Sequence, residues 1–360
     1  MATMAGVAAD PHAYLRAQTS WRPIEIVFWL ATLVPFFLFP SYLALASQIA
    51  ITALFALSLD LILGYAGIVS LGHAAFFGLG AYTAGIITKP ALVSLALPAF
   101  KILSFEFPGL EIVSFEFPGW SDPFVGLAAA MAVAGVFGYA SSFVIARFKH
   151  LALIMVTLGL GLLLHEAANR ASWLTGGSDG LQGIRIGPLL GRFPFDLYGY
   201  TGYTYSLIVL FVVFLLVRRL VNSPFGLSLR GIRENPVRMP AIGAPSPAHI
   251  RKVYTIAGVI AGMAGAMLTQ TTGTASLGVL EFQRSADVLV ILILGGSGRL
   301  YGGLVGAIIF MIARDQFSGI NPQLWYFWIG VLLVTVVMFL PNGVLGGLSR
   351  LLQSWRARTS

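Results

Sequence analysis

Residues 222–252 read NSPFGLSLRGIRENPVRMPAIGAPSPAHIRK, a polar stretch set between two long apolar runs. With Arg218 and Arg219 just ahead of it, it carries Arg230, Arg233, Arg238, Arg251 and Lys252, seven basic residues against one acid, Glu234. Ser223 is a good N-cap, and Pro224 suits the first helical position, where its missing N–H costs nothing. Phe225, Leu229 and Ile232 follow at i, i+4 and i+7 and make one apolar stripe, while Arg230, Arg233 and Glu234 face elsewhere. Pro236 ends the helix, because Asn235 before it is pushed out of α geometry. A second short piece, 237–242, closes at Gly243 and the turn-rich Pro245-Ser246-Pro247. The stretch is therefore a short amphipathic helix, too short to span a bilayer, lying where a partner can push on it.

The runs on either side decide the class. The chain is 57% hydrophobic and 10% charged, whereas soluble domains carry roughly 25% charged residues. It is an integral membrane protein, all-α and polytopic. Zero cysteines exclude disulfides, thiol redox chemistry and Cys-based metal sites. The net charge of +8 does not point to nucleic acid, because the basic residues gather in loops beside apolar spans.

Windows long enough for a ~30 Å core predict about ten helices. They fall near 24–42, 44–63, 69–88, 124–146, 150–166, 203–220, 252–270, 285–296, 302–315 and 323–341. An even count puts both termini on one side. Fifteen of the 22 Lys and Arg, the opening stretch included, fall on that side, which marks it as cytoplasmic. Arg170, Arg284 and Arg314 are among the seven on the other. Residues 1–23 read as a cytoplasmic N-terminal segment, 24–347 as the membrane domain and 348–360 as a cytoplasmic tail. The run 24–43 is too long for the apolar part of a signal peptide and reads as a retained first span.

Between the third and fourth spans a ten-residue unit is written twice, KILSFEFPGL (101–110) and EIVSFEFPGW (111–120). Its alternation and Pro-Gly turns predict a small hairpin outside the membrane, either a tolerated duplication or a docking surface for an external partner.

Two glycine clusters, 64–72 and 295–303, interrupt apolar runs and resemble each other: LGYAGIVSLG against LGGSGRLYGG. Such breaks in membrane helices present free backbone groups to a substrate. The GxxxG pairs Gly258/Gly262 and Gly302/Gly306 read instead as helix packing. The ionisable residues within the spans are few: Asp60, His73, His165, Glu166 and Asp287. Asp60 and His73 flank the first break, which lets the two meet across it. The candidates for a translocation path are accordingly Asp60, Gly64, Gly67, Ser70, Gly72 and His73.

Several chemistries have no motif. There is no G-x-x-x-x-G-K-[ST], and His165-Glu166-Ala167-Ala168-Asn169 lacks the second histidine of a zinc protease helix. No G-x-S-x-G elbow occurs. The reading is of a non-catalytic transport subunit without cofactor or metal.

Five stretches come in a telling order: LDLILGYAGIVSLGHAAFFGLGAYTAG (59–85), LTGGSDGLQGI (174–184), SPFGLSLRGIRENPVRMPAIG (223–243), AGVIAGMAGAM (257–267) and LGGSGRLYGGLVGA (294–307). Together they resemble the LivM-type permease subunits of branched-chain amino-acid ABC importers, over roughly residues 24–347. The resemblance implies that 222–252 is a coupling loop, with Phe225, Leu229, Arg230, Ile232, Arg233 and Glu234 meeting a cytoplasmic ATPase. It implies a second permease, two P-loop ATPases that hydrolyse the ATP, a periplasmic binding protein and a place in the bacterial inner membrane. The expected cargo is a branched-chain or other hydrophobic amino acid. The family commonly has Asn where this chain has Asp60, and often Gln where it has Ile68. Relatives also import urea, amides and aromatic acids, so those cargoes stay open. An ion-coupled secondary transporter is the other alternative, and a helix resting on anionic membrane lipid is the other reading of the loop.

Overall fold

A computed structural model describes residues 23–88, 91–96, 100–102, 105–107, 111–117, 119–148, 150–196, 198–340 and 342–347. The expected terminal segments, 1–22 and 348–360, lie outside the described residues.

The membrane body is helical. A short pair, α1 (Pro23–Ala31) and α2 (Val34–Leu38), leads into α3 (Leu43–Asp60), which runs on through a π-turn, Leu61–Tyr65. After an irregular stretch comes α4 (Ala74–Thr88). Then follow α5 (Pro123–Ile145), α6 (His150–Arg170), the single turn α7 (Ser172–Thr175) and α8 (Tyr200–Val221). The rest are α9 (Pro224–Glu234), α10 (Ser246–Thr272), α11 (Phe282–Gly295), α12 (Leu300–Ile320) and α13 (Trp325–Phe339).

Helical segments stand at each of the ten expected places. Among the described residues, length and composition support seven crossings: Pro40–Tyr65, Pro123–Ile145, His150–Arg170, Tyr200–Val221, Ser246–Thr272, Leu300–Ile320 and Trp325–Gly347. The difference from ten has a local cause. The α1–α2 pair kinks before Pro35, α4 starts only at Ala74, and α11 stops at Gly295, so each falls short of a full crossing. A helix of 14 or 15 residues spans about 21–23 Å at 1.5 Å per residue, less than a ~30 Å core.

Strands are confined, among the described residues, to the insertion after α4. β1 (Ala91–Ala96) pairs antiparallel with β4 (Glu111–Phe117), and β2 (Phe100–Ile102) with β3 (Phe105–Phe107). The single hairpin expected there is thus two nested ribbons, and the copies of the repeat do not pair with each other. Alternation announces a strand but does not choose its partner.

The core lies where α3, α4 and α10 meet. Most of α3 is buried, and α10 buries Tyr254, Ala257, Ala261, Ala264 and Met267. Small residues make this possible. A methyl group on Gly80 would stand 1.9 Å from the Gly262 carbonyl oxygen, and one on Gly262 would stand 2.4 Å from Ala134 Cβ. By contrast α6 buries only Leu153, Thr157 and Gly161, and α13 only Ile329, so both present long apolar faces outward. On the other flank Arg218, in the last turn of α8, pairs with Glu25 of α1 at 2.7 Å.

Because backbone blocks the extra methyl, Gly80→Ala should cost about 1–3 kcal/mol, the usual scale of overpacking. The thermal midpoint of the purified protein in detergent should fall accordingly, and an unchanged midpoint would mean that α4 and α10 have room to part.

Candidate functional site

The site forms where the first glycine cluster, the second glycine cluster and α9 come together. At the end of α3 the helix widens into its π-turn, Ile68 N–H donates to the Ile62 carbonyl (2.9 Å), and Gly67 takes φ +74°. Asp60 is fully buried, and its Oδ1 accepts from the Gly298 N–H at 2.7 Å. Gly64 sits against Gly298, and a methyl group there would be 2.0 Å from Asp60 Oδ1 and 2.5 Å from the Gly298 nitrogen. The two glycine clusters that resemble each other in sequence are therefore in contact.

α9 reaches this junction from below. Ser223 caps it, accepting from Gly226 N–H, with Pro224 in the first turn; Asn235, extended ahead of Pro236, ends it. Asn235 Oδ1 then takes the N–H groups of Val237 and Arg238 (3.2 and 3.1 Å). Two arginines tie α9 to the break. Arg233 donates from Nη1 to the Gly64 carbonyl, and the Arg230 guanidinium lies 5.3 Å from the centre of the Tyr65 ring.

The apolar stripe of α9 points into this same chain. Leu229 is 0% exposed and Ile232 3%, while Phe225 stacks on His249 with ring centres 5.5 Å apart. The stripe read from the sequence as the face for a partner is thus used to seat the helix on its own chain. What the segment leaves open is Leu227, Glu234 and part of Arg233, followed by Val237 and Ile242, which are 77% and 75% exposed. The i, i+4, i+7 pattern says which residues are covered and is silent on what covers them. Beside the helix, a cavity of about 370 Å³ opens between Gly67, Ile68, Phe148, Leu153, Ile232 and Pro236.

The other path candidates divide. His73 and Asp60 do not bond each other. His73 Nε2 lies 2.8 Å from Ser58 Oγ, and its ring stacks on Phe55. Ser58 gives its own proton to the Phe55 carbonyl (2.6 Å), so Nε2 is the donor toward Ser58. Ser70 is fully buried. Gly72 packs on α6, where a methyl group would be 1.8 Å from the Thr157 carbonyl oxygen. The free N–H groups at the start of α4 are met from afar: Leu71 donates to Thr157 Oγ1 (3.3 Å) and Ala74 to Ser285 Oγ of α11 (2.9 Å). Ser285 went unremarked in the sequence, since nothing in its local pattern distinguishes it from any serine in an apolar helix, and Gly298 was marked only as part of the cluster 295–303, not as the donor to Asp60.

A broken helix held by buried polar side chains, with a short helix fastened to the break, suits a transport protein. The family described as "Branched-chain amino acid transport system / permease component" matches residues 41–337. The chain belongs to that family. It is a multi-pass membrane permease of the branched-chain amino-acid transport type. The high-affinity branched-chain amino acid transport system permease protein LivM of Escherichia coli (strain K12) is 25% identical over 338 residues, covering 88% of this chain and 72% of the relative. The probable branched-chain amino acid transport permease protein LivM of Methanocaldococcus jannaschii is 25% identical over 317 residues, 81% of this chain and 89% of the relative. The fructose import permease protein FrcC of Rhizobium meliloti is 25% identical over 225 residues, 60% of this chain and 62% of the relative. No solved structure matches the chain.

The junction predicts a graded response at Asp60. Asp60→Asn keeps an acceptor oxygen for the Gly298 N–H and should leave thermal stability in detergent close to the parent. Asp60→Leu strands that buried N–H, at a cost of about 1–3 kcal/mol, and should lower the midpoint. Equal midpoints for the two variants would mean that the Asp60–Gly298 bond does not hold the break.

Proposed function

We propose that this chain is one permease of an ATP-driven importer for branched-chain or other hydrophobic amino acids. It works with a second permease, two cytoplasmic P-loop ATPases and a periplasmic binding protein in the bacterial inner membrane. Catalysis resides in the ATPases. Residues 24–347 act as one permease unit with both termini cytoplasmic. The α1–α2 pair, and α4 and α11 with the irregular stretches next to them, each complete a crossing, so the chain passes the membrane ten times.

The single observation that carries this reading is the fastening of α9 to the broken end of α3. Residues 222–252 serve as the coupling loop. Leu229 and Ile232 seat α9, Phe225 holds it to the base of α10, and Arg230 and Arg233 link it to Tyr65 and Gly64. Its open side, with Leu227, Glu234, Val237 and Ile242, meets the ATPase. A displacement of α9 then acts through Arg233 on a main-chain carbonyl of the break, and through Gly64 on Gly298 and Asp60. These groups gate the path on its cytoplasmic side.

The proposal separates two classes of substitution. Val237→Asp and Leu227→Ala act on the open side and should weaken ATPase association. An interface anchor is worth ~2–4 kcal/mol, roughly 30- to 1,000-fold at ~1.4 kcal/mol per tenfold. Leu229→Ala opens a cavity under the helix and should cost about 2–5 kcal/mol of permease stability. Co-purification of the ATPases with each variant, beside thermal stability of the permease alone, separates them. Open-side variants that keep full co-purification would leave α9 a lipid-surface element.

Arg233→Leu addresses coupling itself. The ATPases should remain bound and hydrolyse ATP, while uptake per ATP in proteoliposomes falls at least tenfold. Parent-like uptake per ATP would remove Arg233 from the coupling path.

A further inference from the structure

A second polar cluster lies higher in the bundle and is not used by the junction. Arg284 and Asp287 of α11 and Arg314 of α12 line one recess of about 20 Å³ with Thr52, Phe55 and Phe77, room for about one water, so a larger guest enters only as these helices part. The charge count put both arginines on the non-cytoplasmic side; Arg314 lies within its expected helix, and Arg284, one residue ahead of its expected window, also proves helical. Arg314 is 14 residues beyond Leu300, about 21 Å up the helix at 1.5 Å per residue. Arg284 reaches the same level because α11 begins inside the bundle. Just ahead of it the buried Leu280 packs on Gly78, and Ser285 caps the start of α4.

The cluster is chemically incomplete. Among the described residues neither guanidinium donates a hydrogen bond to a protein acceptor. Arg284 lies over the Phe77 ring at 5.8 Å and Arg314 over Trp325 at 5.1 Å. Asp287 accepts from Gln283 Nε2 at 3.1 Å, and both arginines attract its carboxylate across the recess without closing to ion-pair distance. The recess thus holds two cations and one carboxylate, with the fork-shaped donors of both arginines uncommitted. Charged side chains at membrane depth are costly, face a partner or a water-filled path, and mark substrate routes. Guanidinium forks match a carboxylate bidentately, and an aspartate with one oxygen beyond its Gln283 bond suits an ammonium group.

We propose that this recess recognises the head group of a zwitterionic amino acid during passage, Arg284 and Arg314 taking its carboxylate and Asp287 its ammonium. This deepens the importer reading and rests on it. The aromatic rings of Phe55 and Phe77 border the recess on its apolar side, where an aliphatic side chain would lie. A neutral amide or urea offers no carboxylate to the arginines, and an acid without an amine leaves Asp287 unanswered.

The test uses the assembled importer with its binding protein in proteoliposomes, offered leucine, leucinamide or 4-methylpentanoate. The parent should take up leucine at least tenfold faster than either analogue. Arg284→Gln and Arg314→Gln should each lower leucine uptake at least tenfold, with ATPase co-purification and basal hydrolysis unchanged and partial recovery in Arg284→Lys. Asp287→Asn should narrow the preference for leucine over 4-methylpentanoate. ATP-independent uptake by the parent, or no ATPase co-purification, counts against the importer reading. Several results overturn the recess alone: variants that keep leucine uptake within twofold, variants that lose it only together with co-purification, a parent that takes up leucinamide as fast as leucine, or a parent that takes up none of the three.

Discussion

The hydrogen bond from the Gly298 N–H to Asp60 Oδ1 answers the constraint on which the rest depends. Backbone groups at membrane depth have to be satisfied within the protein, because lipid offers them nothing. The chain from Leu61 to His73 abandons regular helix, and each group it frees needs a partner from elsewhere. Arg233 answers the Gly64 carbonyl, Thr157 the Leu71 N–H and Ser285 the Ala74 N–H. Four elements far apart in sequence are thereby bound to one break. The glycines follow from this: Gly64 and Gly298 allow the two turns to touch, a side chain on Gly64 would collide with both Asp60 Oδ1 and the Gly298 nitrogen, and Gly298 holds a φ of +76° that side chains rarely adopt.

That arrangement also explains why α9 lies where it does. A short helix with three apolar residues gains little alone, since helices below a dozen or so residues are marginal in water. It is held by burial of Leu229 and Ile232 and by the charge-assisted bond of Arg233 to a carbonyl that membrane depth would otherwise leave bare. The same bond that steadies α9 completes the break. Each stabilises the other.

The helical plan was legible because apolar runs near 20 residues leave few alternatives, and the capped start and Pro-terminated end of α9 are local chemistry. The GxxxG pairs were legible for the same reason. What stayed hidden is partner choice. Periodicity marked Phe225, Leu229 and Ile232 as a covered stripe, yet the cover is this chain's own α8, α10 and the π-turn after α3. Alternation marked strands at 105–107 and 111–117, yet not that they would pair with separate neighbours. Asp60 and His73 stood close to the break in sequence, but each found a different partner, Gly298 and Ser58. Arg284 and Arg314 entered the sequence reading only as charges on the non-cytoplasmic side, because charge counting assigns a side and not a neighbour. That they share one recess depends on how the 273–281 segment folds into the bundle, which no local pattern records.

The two polar clusters differ in how they are satisfied, and that difference separates their roles. At the junction, the Gly298 N–H and the Gly64 carbonyl each have a protein partner, and the glycines pack to contact. A force on α9 therefore meets little slack before it reaches the main chain of α3. In the recess of Arg284, Asp287 and Arg314 the situation is reversed, since the forks rest on ring faces and meet the Asp287 carboxylate only through space, while its one hydrogen bond comes from a neutral amide. Cation–aromatic contacts are worth ~0.5–2 kcal/mol, well short of what a guanidinium gains from a bidentate carboxylate. A group of that kind can take a ligand and release it without breaking the fold. On the proposed reading the satisfied cluster transmits and the unsatisfied one exchanges, and a permease that couples movement to passage needs both.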